Sequence, residues 1–477
     1  MRMPQDLLAA IWARADDEVV AFGPQGDAAF GALRLGAERL ATRLASLPAR
    51  RWALCFEDSL LFAEALLACA LTGREAILPG HQRPAALAEL SAGFDGVLTD
   101  SQTLGEGSAV PWLHLPLSTA AEAPSTARWS APASLRLTLF TSGSTGQPKA
   151  IPKAWHQLDA ELRVLIGLWG EPLAGARLLA SVSHQHIYGL LFRILLPLIL
   201  RVPFARTLTL YPEQLSAQPG LWALIASPAL LSRLDPGLKA TGCRLVVSSG
   251  GPLAPADASR CEQLLGRLPV EVFGSSETGG IAWRQSQEAD TPWQPMPGIA
   301  IALGEDDQLL LRSPYLPDGA PLLCADRIRL CESGFHLLGR GDRVIKLEEK
   351  RISLEEVEGR LRALPWVREV AVLPLNVATR QQLGAVLVLT EAGLIQWQAL
   401  GPGRFLIALR EQLRPWLEPV ALPRRLRLLP ELPLNSQGKR PWGQLRALFD
   451  KVPMDINAKE PALGQMEDPA SGQAPCR

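Results

Sequence analysis

The chain has 477 residues, enough for roughly two or three domains, and 47% hydrophobic residues supply ample cores. Its 48 basic residues balance 48 acidic ones, which excludes a basic field for nucleic acid and an acidic tail. Seven cysteines without paired spacing are typical of reduced thiols. Residues 1–20 carry several charges where a secretory signal needs an apolar run, and the apolar segment 189–200 is too short to span a bilayer. We therefore expect a cytoplasmic protein with no membrane span, whose partners are small molecules or another protein.

Strands and helices alternate through the first 280 residues. A helix with a glycine stop is predicted over 59–72, and apolar runs predict buried strands at 52–56, 76–78, 96–99, 135–140, 178–181, 221–227, 244–248 and 270–273. This alternation favours parallel sheets covered by helices. From 299 to 311 the pattern changes to short strands around a turn, which predicts a small β-rich subdomain.

A fresh pattern begins near Asp342. It predicts a helix over 353–364, strands at 370–375 and 384–389, and a helix over 404–413. Beyond 450 the apolar periodicity disappears, as in a disordered tail. The sequence thus predicts an α/β protein with a large N-terminal domain (1–341) of mostly parallel, helix-covered sheets and a small β subdomain. A small α+β domain (342–450) and a tail (451–477) follow.

The run from 141 to 149 is a loop suited to holding phosphate oxygens. Its glycines allow close backbone approach, its hydroxyls donate hydrogen bonds, and its lysine adds positive charge. The members are Thr141, Ser142, Gly143, Ser144, Thr145, Gly146 and Lys149. Pro148 and Ala150 flank the lysine where a standard phosphate loop has Gly and Ser or Thr, which disfavours a kinase or GTPase. The alternative is a flexible linker.

Two other features admit both a functional and a structural interpretation. Glu277 follows a predicted strand and offers a hard oxygen to Mg²⁺, or it belongs to a structural turn. Asp326 can accept hydrogen bonds from a ribose diol, or it is a surface carboxylate. His184 and His186 alone are weak evidence for a metal. The charges over 355–362 predict a solvated helix face with i to i+4 pairs.

The order of these motifs resembles the adenylate-forming superfamily of acyl-CoA synthetases, aryl-acid ligases, peptide-synthetase adenylation domains and luciferases. TSGSTGQPKA at 141–150 is similar to the family's phosphate loop, and SSGGPL at 248–253 and FGSSETGG at 273–280 are similar to its adenine and Mg²⁺ motifs. CAD at 324–326 resembles its ribose aspartate, 339–358 its hinge, and LPLNSQGK at 432–439 its C-terminal lysine loop.

The resemblance implies two half-reactions and a C-terminal domain that moves between them. A carboxylic acid and ATP give an acyl-adenylate, and a thiol of CoA or an acyl carrier protein then displaces AMP. Lys439 would bridge the carboxylate and the α-phosphate, Glu277 would hold Mg²⁺, and His186 would lie beside the carboxylate, or be a core histidine. The nucleotide would contact the loop residues already named and Gly250, Gly251, Phe273, Gly274, Ser275, Ser276, Asp326 and Arg340, with Asp342 as the hinge.

The resemblance implies that residues 249–250 and 279–280 surround the adenylate carbonyl, as they do in the family; small residues there leave room for a ring and favour an aromatic acid. Glu349 departs from the family's pattern, because the hinge motif usually has Gly there, lining the tunnel for pantetheine. A carboxylate would disfavour free CoA, which is negatively charged. With the compact N-terminal domain, this favours a carrier-protein acceptor, as in aryl-polyene-type ligases.

Two alternatives remain at this stage. One is a stand-alone amino-acid adenylation domain, although residues 186–188 lack the Asp that pairs with an α-amine. The other is an inactive nucleotide-binding homologue, whose expected signature is loss of the lysine or the Mg²⁺ carboxylate. Both groups are present, at Lys439 and Glu277.

Overall fold

The computed structural model describes residues 3–80, 82–102, 110–117, 129–142, 148–286, 288, 290–340, 343–348, 350–377, 380–433 and 442–450. Within these ranges no helix combines the length and the apolar character needed to cross a membrane. Several predicted site residues lie outside the described residues: Gly143, Ser144, Thr145, Gly146, Asp342, Glu349 and Lys439.

The first part of the chain builds a six-stranded sheet and the edge of a second one. Its elements are α1 (Leu7–Trp12), β1 (Val19–Gly23), β2 (Gly26–Ala29), α2 (Phe30–Ala45), β3 (Arg51–Cys55), α3 (Ser59–Leu71), β4 (Glu75–Leu78), α4 (Pro84–Glu89), β5 (Gly96–Thr99), β6 (Trp112–His114), β7 (Arg136–Ser142) and β8 (Pro148–Ala154). The strand order is β6-β5-β3-β4-β7-β8, and only β7 and β8 pair antiparallel. The Asp58 side chain begins α3 by accepting the Leu60 backbone N–H at 2.8 Å.

The middle part completes a nine-stranded sheet and adds a small antiparallel one. Its elements are α5 (Trp155–Leu173), β9 (Arg177–Ala180), α6 (Ile187–Gly189), a π-helical stretch (Leu190–Leu195), α7 (Leu196–Leu200), β10 (Phe204–Ala205), β11 (Trp222–Ala226), α8 (Pro228–Leu231), β12 (Cys243–Ser248), α9 (Pro255–Leu265), β13 (Val270–Ser275), β14 (Gly279–Gln285), β15 (Gln294–Pro295), β16 (Ala300–Leu303), β17 (Gln308–Arg312), β18 (Leu322–Cys331) and β19 (Gly334–Arg340). The large sheet runs β15-β14-β13-β12-β11-β9-β10-β1-β2, with parallel pairs from β13 to β1. Strands β16 to β19 form the four-stranded antiparallel sheet.

The residues from 343 to 450, called here the C-terminal module, have their own sheet. Its elements are β20 (Val344–Leu347), β21 (Lys350–Ser353), α10 (Leu354–Arg362), β22 (Val367–Val377), β23 (Arg380–Leu389), α11 (Glu391–Leu413), β24 (Arg425–Leu428) and α12 (Trp442–Ala447). Strands β20 and β21 form a hairpin, and the second sheet has the order β22-β23-β24. Gly401, with a φ of 71°, interrupts the helical geometry of α11 just before Pro402.

Separate apolar cores explain this organisation. One large cluster joins the two main sheets through buried side chains of α2, α3 and α5, such as Leu40, Phe62 and Leu162. The C-terminal module buries its own cluster around Val357, Leu387 and Phe405. The structure confirms the predicted α/β class with mostly parallel sheets and a small β-rich part. The proposed boundary at 342 falls between β19 and β20 and stays a prediction.

Candidate active site

A deep cleft lies where strands of both large sheets end and the C-terminal module packs against them. Thr141 from β7, Ser249 and Gly250 after β12, and Ser275 from β13 line its walls. The module closes one side with residues of β21, α10 and the segment 416–421. Because parallel strands leave their carboxyl ends along one sheet edge, loops distant in sequence converge there.

The predicted phosphate loop connects two strands of the six-stranded sheet. Thr141 lies opposite Lys149 in the antiparallel pair of β7 and β8, and Ser142 lies opposite Pro148. The two ends of the loop are thereby held side by side. The Lys149 side chain is 59% exposed, and its Nζ lies 3.6 Å from Oε1 of Glu277.

Glu277 receives two cations from different parts of the chain. Arg351, on β21, donates a hydrogen bond to Oε2 at 2.5 Å, and Lys149 lies near Oε1. Burial alone would raise the pKa of Glu277, but Arg351, a backbone hydrogen bond and Lys149 together hold that pKa below its usual value. The carboxylate is thus ionised, as a Mg²⁺ ligand must be. It is engaged by Arg351 in the arrangement seen here.

Hydrogen bonds within the turn hold Glu277 at the edge of the cleft. The Ser275 backbone N–H donates to Oγ1 of Thr278 at 3.0 Å, and that hydroxyl donates to the Gly279 carbonyl at 2.8 Å. Lys153 is buried behind the turn, and its Nζ donates to the Glu277 carbonyl at 3.0 Å.

The neighbouring motif residues divide between the cleft and the core. Gly250, Gly274, Ser275 and Ser276 line the cleft, and Gly251 packs against the backbone of the β20–β21 turn.

Phe273 instead packs in the core, with ring centroids 5.6 Å from Trp293 and 6.2 Å from Phe335. Side chains alternate along β13, so Val272 faces the cleft and Phe273 the opposite side.

The predicted ribose pair lies on one antiparallel ladder. Asp326 of β18 is directly opposite Arg340 of β19. Asp326 is half-buried and is not among the described residues that line the cleft. The two residues are adjacent, as a shared contact with a ribose requires, while their role stays a prediction.

The two histidines of the 184–186 segment have different environments. His184 is a core residue: it stacks on Phe62 at 4.2 Å, and its Nε2 lies 2.9 Å from the Phe56 carbonyl. Burial lowers its pKa well below the usual value. His186 precedes α6 and lines the cleft. Among the described residues no group of three or more His, Cys, Asp or Glu side chains could hold a metal.

Beyond His186 the cleft is mainly apolar and aromatic. Tyr188, Leu191, Phe192 and Val272 form this wall, which we call the acyl wall. The Tyr188 hydroxyl contacts the Ala226 and Val247 carbonyls at 3.2 and 3.0 Å, and its ring packs edge-on against Phe192. The ring of Tyr188 is therefore fixed by the sheet edge behind it.

Sequence reasoning missed Glu161, a buried carboxylate in the acyl wall. It lies on α5 and accepts the Gly280 backbone N–H at 2.6 Å. A signal was present: Leu158, Leu162 and Leu165 mark the apolar face of α5, and position 161 falls on that face at helical spacing.

The charges of α10 were interpreted wrongly as a solvated face. Glu358 is buried and accepts two hydrogen bonds from Arg343, at 2.9 and 2.8 Å, because α10 packs on β22. Arg360 forms a bidentate pair with Glu89 of α4 and stacks over Trp416. Glu355 and Arg362 are exposed, as expected.

Comparison with known proteins agrees with this geometry. Residues 10–315 match the family of AMP-binding enzymes. A 4-coumarate–CoA ligase from Rhodobacter capsulatus is 32% identical over 63% of this chain and 74% of its own. A 3,4-dihydroxybenzoate–[aryl-carrier protein] ligase from Bacillus anthracis is 23% identical over 63% of this chain and 71% of its own. The amide bond synthetase McbA from Marinactinospora thermotolerans shares the fold, with a TM-score of 0.78 and 20% identity over 93% of this chain and 99% of its own.

The chain therefore belongs to the AMP-binding enzyme family. It is an ATP-dependent ligase that activates a carboxylic acid as an acyl-adenylate and transfers the acyl group to a thiol. CoA and a carrier protein are the two classes of acceptor.

Proposed function

We propose that the chain is an aryl-acid ligase whose acyl wall binds the ring and whose acceptor is an acyl carrier protein. The observation that supports an aryl acid is the wall itself, in which the rings of Tyr188 and Phe192 line the cleft together with His186. Offset and edge-on ring contacts favour a planar aromatic guest. The relatives named above act on 4-coumarate and 3,4-dihydroxybenzoate, which are both aryl acids.

In the first half-reaction a carboxylate oxygen of the acid attacks the α-phosphorus of ATP, and pyrophosphate leaves. Two anions must approach, so the step needs positive charge at the reacting oxygens. We assign that charge to Lys439, while Thr141 and Lys149 steady the departing phosphates. His186 would orient the carboxylate.

Magnesium fits the residues at Glu277. Mg²⁺ usually takes one or two carboxylates together with substrate phosphates and water, and Glu277 supplies one ionised carboxylate at the cleft edge. When bound there, the ion would neutralise charge on the phosphates. Because Arg351 now occupies Oε2, the ion would compete with Arg351 for this carboxylate.

The second half-reaction suits the packed arrangement of the C-terminal module. The thiol sulfur attacks the acyl carbonyl, the bond to the phosphate oxygen breaks, and AMP leaves. On the side where α4 faces the segment 416–421, the cleft is lined by Ala86, Leu90, Trp416 and Ala421. Its apolar walls suit the arm of a thiol carrier. Glu349 disfavours free CoA and so favours an arm attached to a protein.

Exchange of labelled pyrophosphate into ATP tests the assignment. We expect exchange that depends on an aryl acid and falls on the order of 10²-fold or more in Lys439→Ala, because a charge at the reacting oxygens is lost. Lys239→Ala removes an exposed lysine and is the matched control.

The exchange assay is repeated with fatty acids and amino acids in place of the aryl acid. In a second assay, thioesters of CoA and of a carrier protein are detected by mass spectrometry. Exchange with amino acids alone would contradict the aryl proposal. Full exchange in Lys439→Ala would remove that residue from its role. A CoA thioester formed in preference to the carrier thioester would contradict the proposed acceptor.

A further inference from the structure

Glu161 is a carboxylate that the reaction outlined above does not use. Glu161 is only 4% exposed and lines the cleft next to the acyl wall. Oε1 accepts the Gly280 backbone N–H at 2.6 Å. A Cβ on Gly279, whose φ is +67°, would lie 2.5 Å from Oε2, so the bare backbone at this position makes room for the carboxylate.

The charge of Glu161 is not balanced by a contacting cation. None of the described ion pairs includes it, and the nearby Lys153 directs its ammonium to the Glu277 and Tyr315 carbonyls at 3.0 and 3.3 Å. Burial raises the pKa of Glu161 to about 7, a shift that the Gly280 hydrogen bond and Lys153 only partly oppose. A carboxylate has roughly four acceptor positions, and one backbone donor leaves most of them unused.

The other side chains of the acyl wall are weaker acceptors than the Glu161 carboxylate. The Tyr188 hydroxyl is held against two backbone carbonyls, and Leu191, Phe192 and Val272 are apolar. A buried acceptor facing an apolar cavity is costly until a donor enters with the ligand. A donor on the substrate would complete the hydrogen bonds of this carboxyl group.

We propose that Glu161 is the specificity-determining residue of the acyl wall, and that the acid carries a hydrogen-bond donor, a hydroxyl or an amino group, on its ring. The inference rests on the proposed aryl-acid function. An unsubstituted ring would leave the Glu161 carboxyl without this second partner and would bind less tightly. A hydrogen bond to a charged group discriminates by roughly 10- to 100-fold.

A purely structural role is the competing explanation, since Glu161 also fixes Gly280. Glu161→Gln separates the two roles, because the amide keeps the volume and an oxygen for the Gly280 N–H. It also places an NH₂ donor where the second carboxylate oxygen stood. Glu171→Gln, at an exposed position of the same helix, is the matched control.

The experiment measures acid-dependent pyrophosphate exchange with benzoate, hydroxybenzoates and aminobenzoates. We expect wild type and Glu171→Gln to prefer donor-bearing acids. Glu161→Gln should lose roughly 10- to 100-fold in kcat/KM for those acids and keep or gain activity with benzoate. The hydroxyl and amino series show which donor the site takes.

An equal change for every acid in Glu161→Gln, or no change in any ratio, overturns the inference and leaves the ligase proposal intact. Absence of exchange with every acid in wild type overturns both. Thermal shifts of wild type with each acid and AMP give an answer that needs no variant. Larger shifts for donor-bearing acids support the proposal, and equal shifts overturn it.

Discussion

At the level of single residues, the buried glutamates differ in the groups that compensate their charge. Glu277 is kept ionised by cations, whereas Glu64 on α3 is buried with little compensation, and burial raises its pKa to about 7. A carboxyl with a raised folded-state pKa binds its proton more tightly in the folded than in the unfolded chain. Its contribution to stability is present below the unfolded pKa and is lost as the pH rises through the folded value.

Glu64→Gln tests this directly. As the pH rises from about 4.3 to about 7, the free energy of unfolding of wild type should fall by up to about 3 kcal/mol relative to that of the variant, and the difference should then level off. Melting temperatures of both proteins across this range are the measurement. A difference that does not change with pH would show that Glu64 titrates normally in the folded chain.

Several site residues were predictable because their chemistry is local. Glu277 and Lys149 follow from motifs at strand ends, and the fold brings their side chains to 3.6 Å. Phe273 was assigned to the ligand because the sequence does not say which face of β13 meets the cleft. Glu161 was missed because its partner, Gly280, is 119 residues away. Contacts at that separation depend on the packing of α5 against β14.

At the level of elements, one backbone contact fixes the turn that carries His186. A Cβ on Gly189, the last residue of α6, would lie 2.0 Å from the Ser183 carbonyl oxygen. A backbone carbonyl cannot move aside as easily as the end of a flexible side chain, so only glycine fits at position 189 without a shift of the turn. The π-helical stretch follows at once, and such stretches often occur at functional sites.

Gly189→Ala should therefore destabilise the protein by about 1–3 kcal/mol and lower acid-dependent exchange, since His186 shifts with the turn. Gly167→Ala is the control, because Gly167 lies in α5 with nothing within 4 Å of its Cβ position. Ala there should stabilise the helix by up to about 1 kcal/mol. Thermal denaturation compares the two variants. Equal stability would mean that the turn adapts freely.

Element boundaries were less predictable than element types. The last helix predicted from periodicity, 404–413, is the second half of α11, which begins at Glu391. Gly401, with a φ of 71° and a ψ of 167°, breaks the helical geometry just before Pro402, so the helix predicted over 404–413 is the second helical run, and the first run was missed. The burial of Glu358 was also not predictable from the sequence, because it depends on the packing of α10 against β22.

At the scale of the whole molecule, the alternation of strands and helices along the sequence predicted the α/β class, but it did not predict the order of the strands in the sheets. β1 pairs with β10, although all six strands of the six-stranded sheet lie between them in sequence. Such pairings depend on the tertiary fold, so a local pattern cannot specify them. The two lobes, which are residues 3–340 and the C-terminal module, also meet through contacts that the motifs do not specify by themselves: Lys346 Nζ, in the predicted hinge motif, donates to the Gly274 carbonyl at 3.0 Å.

Arg351 connects the lobes at the proposed Mg²⁺ carboxylate, so it should affect the two half-reactions differently. In Arg351→Gln we expect pyrophosphate exchange to persist at lower Mg²⁺ concentrations, because Glu277 is released. Thioester formation should fall about 10-fold, as the loss of a charged hydrogen bond weakens the packed arrangement. Arg360→Gln removes an inter-lobe pair without touching Glu277, so its Mg²⁺ requirement should not change. Equal losses in both half-reactions of Arg351→Gln would contradict this coupling.

The rim of the cleft is held by opposite charges: Arg360 with Glu89, Arg83 with Glu418, and Lys350 with the same Glu418. The side chains in these pairs are only 17–35% exposed, and salt screens partly buried charges in contact much less than exposed ones. A change of ionic strength alone should therefore do little to separate the two lobes. Removing one of the paired charges is the more direct way to weaken this closure.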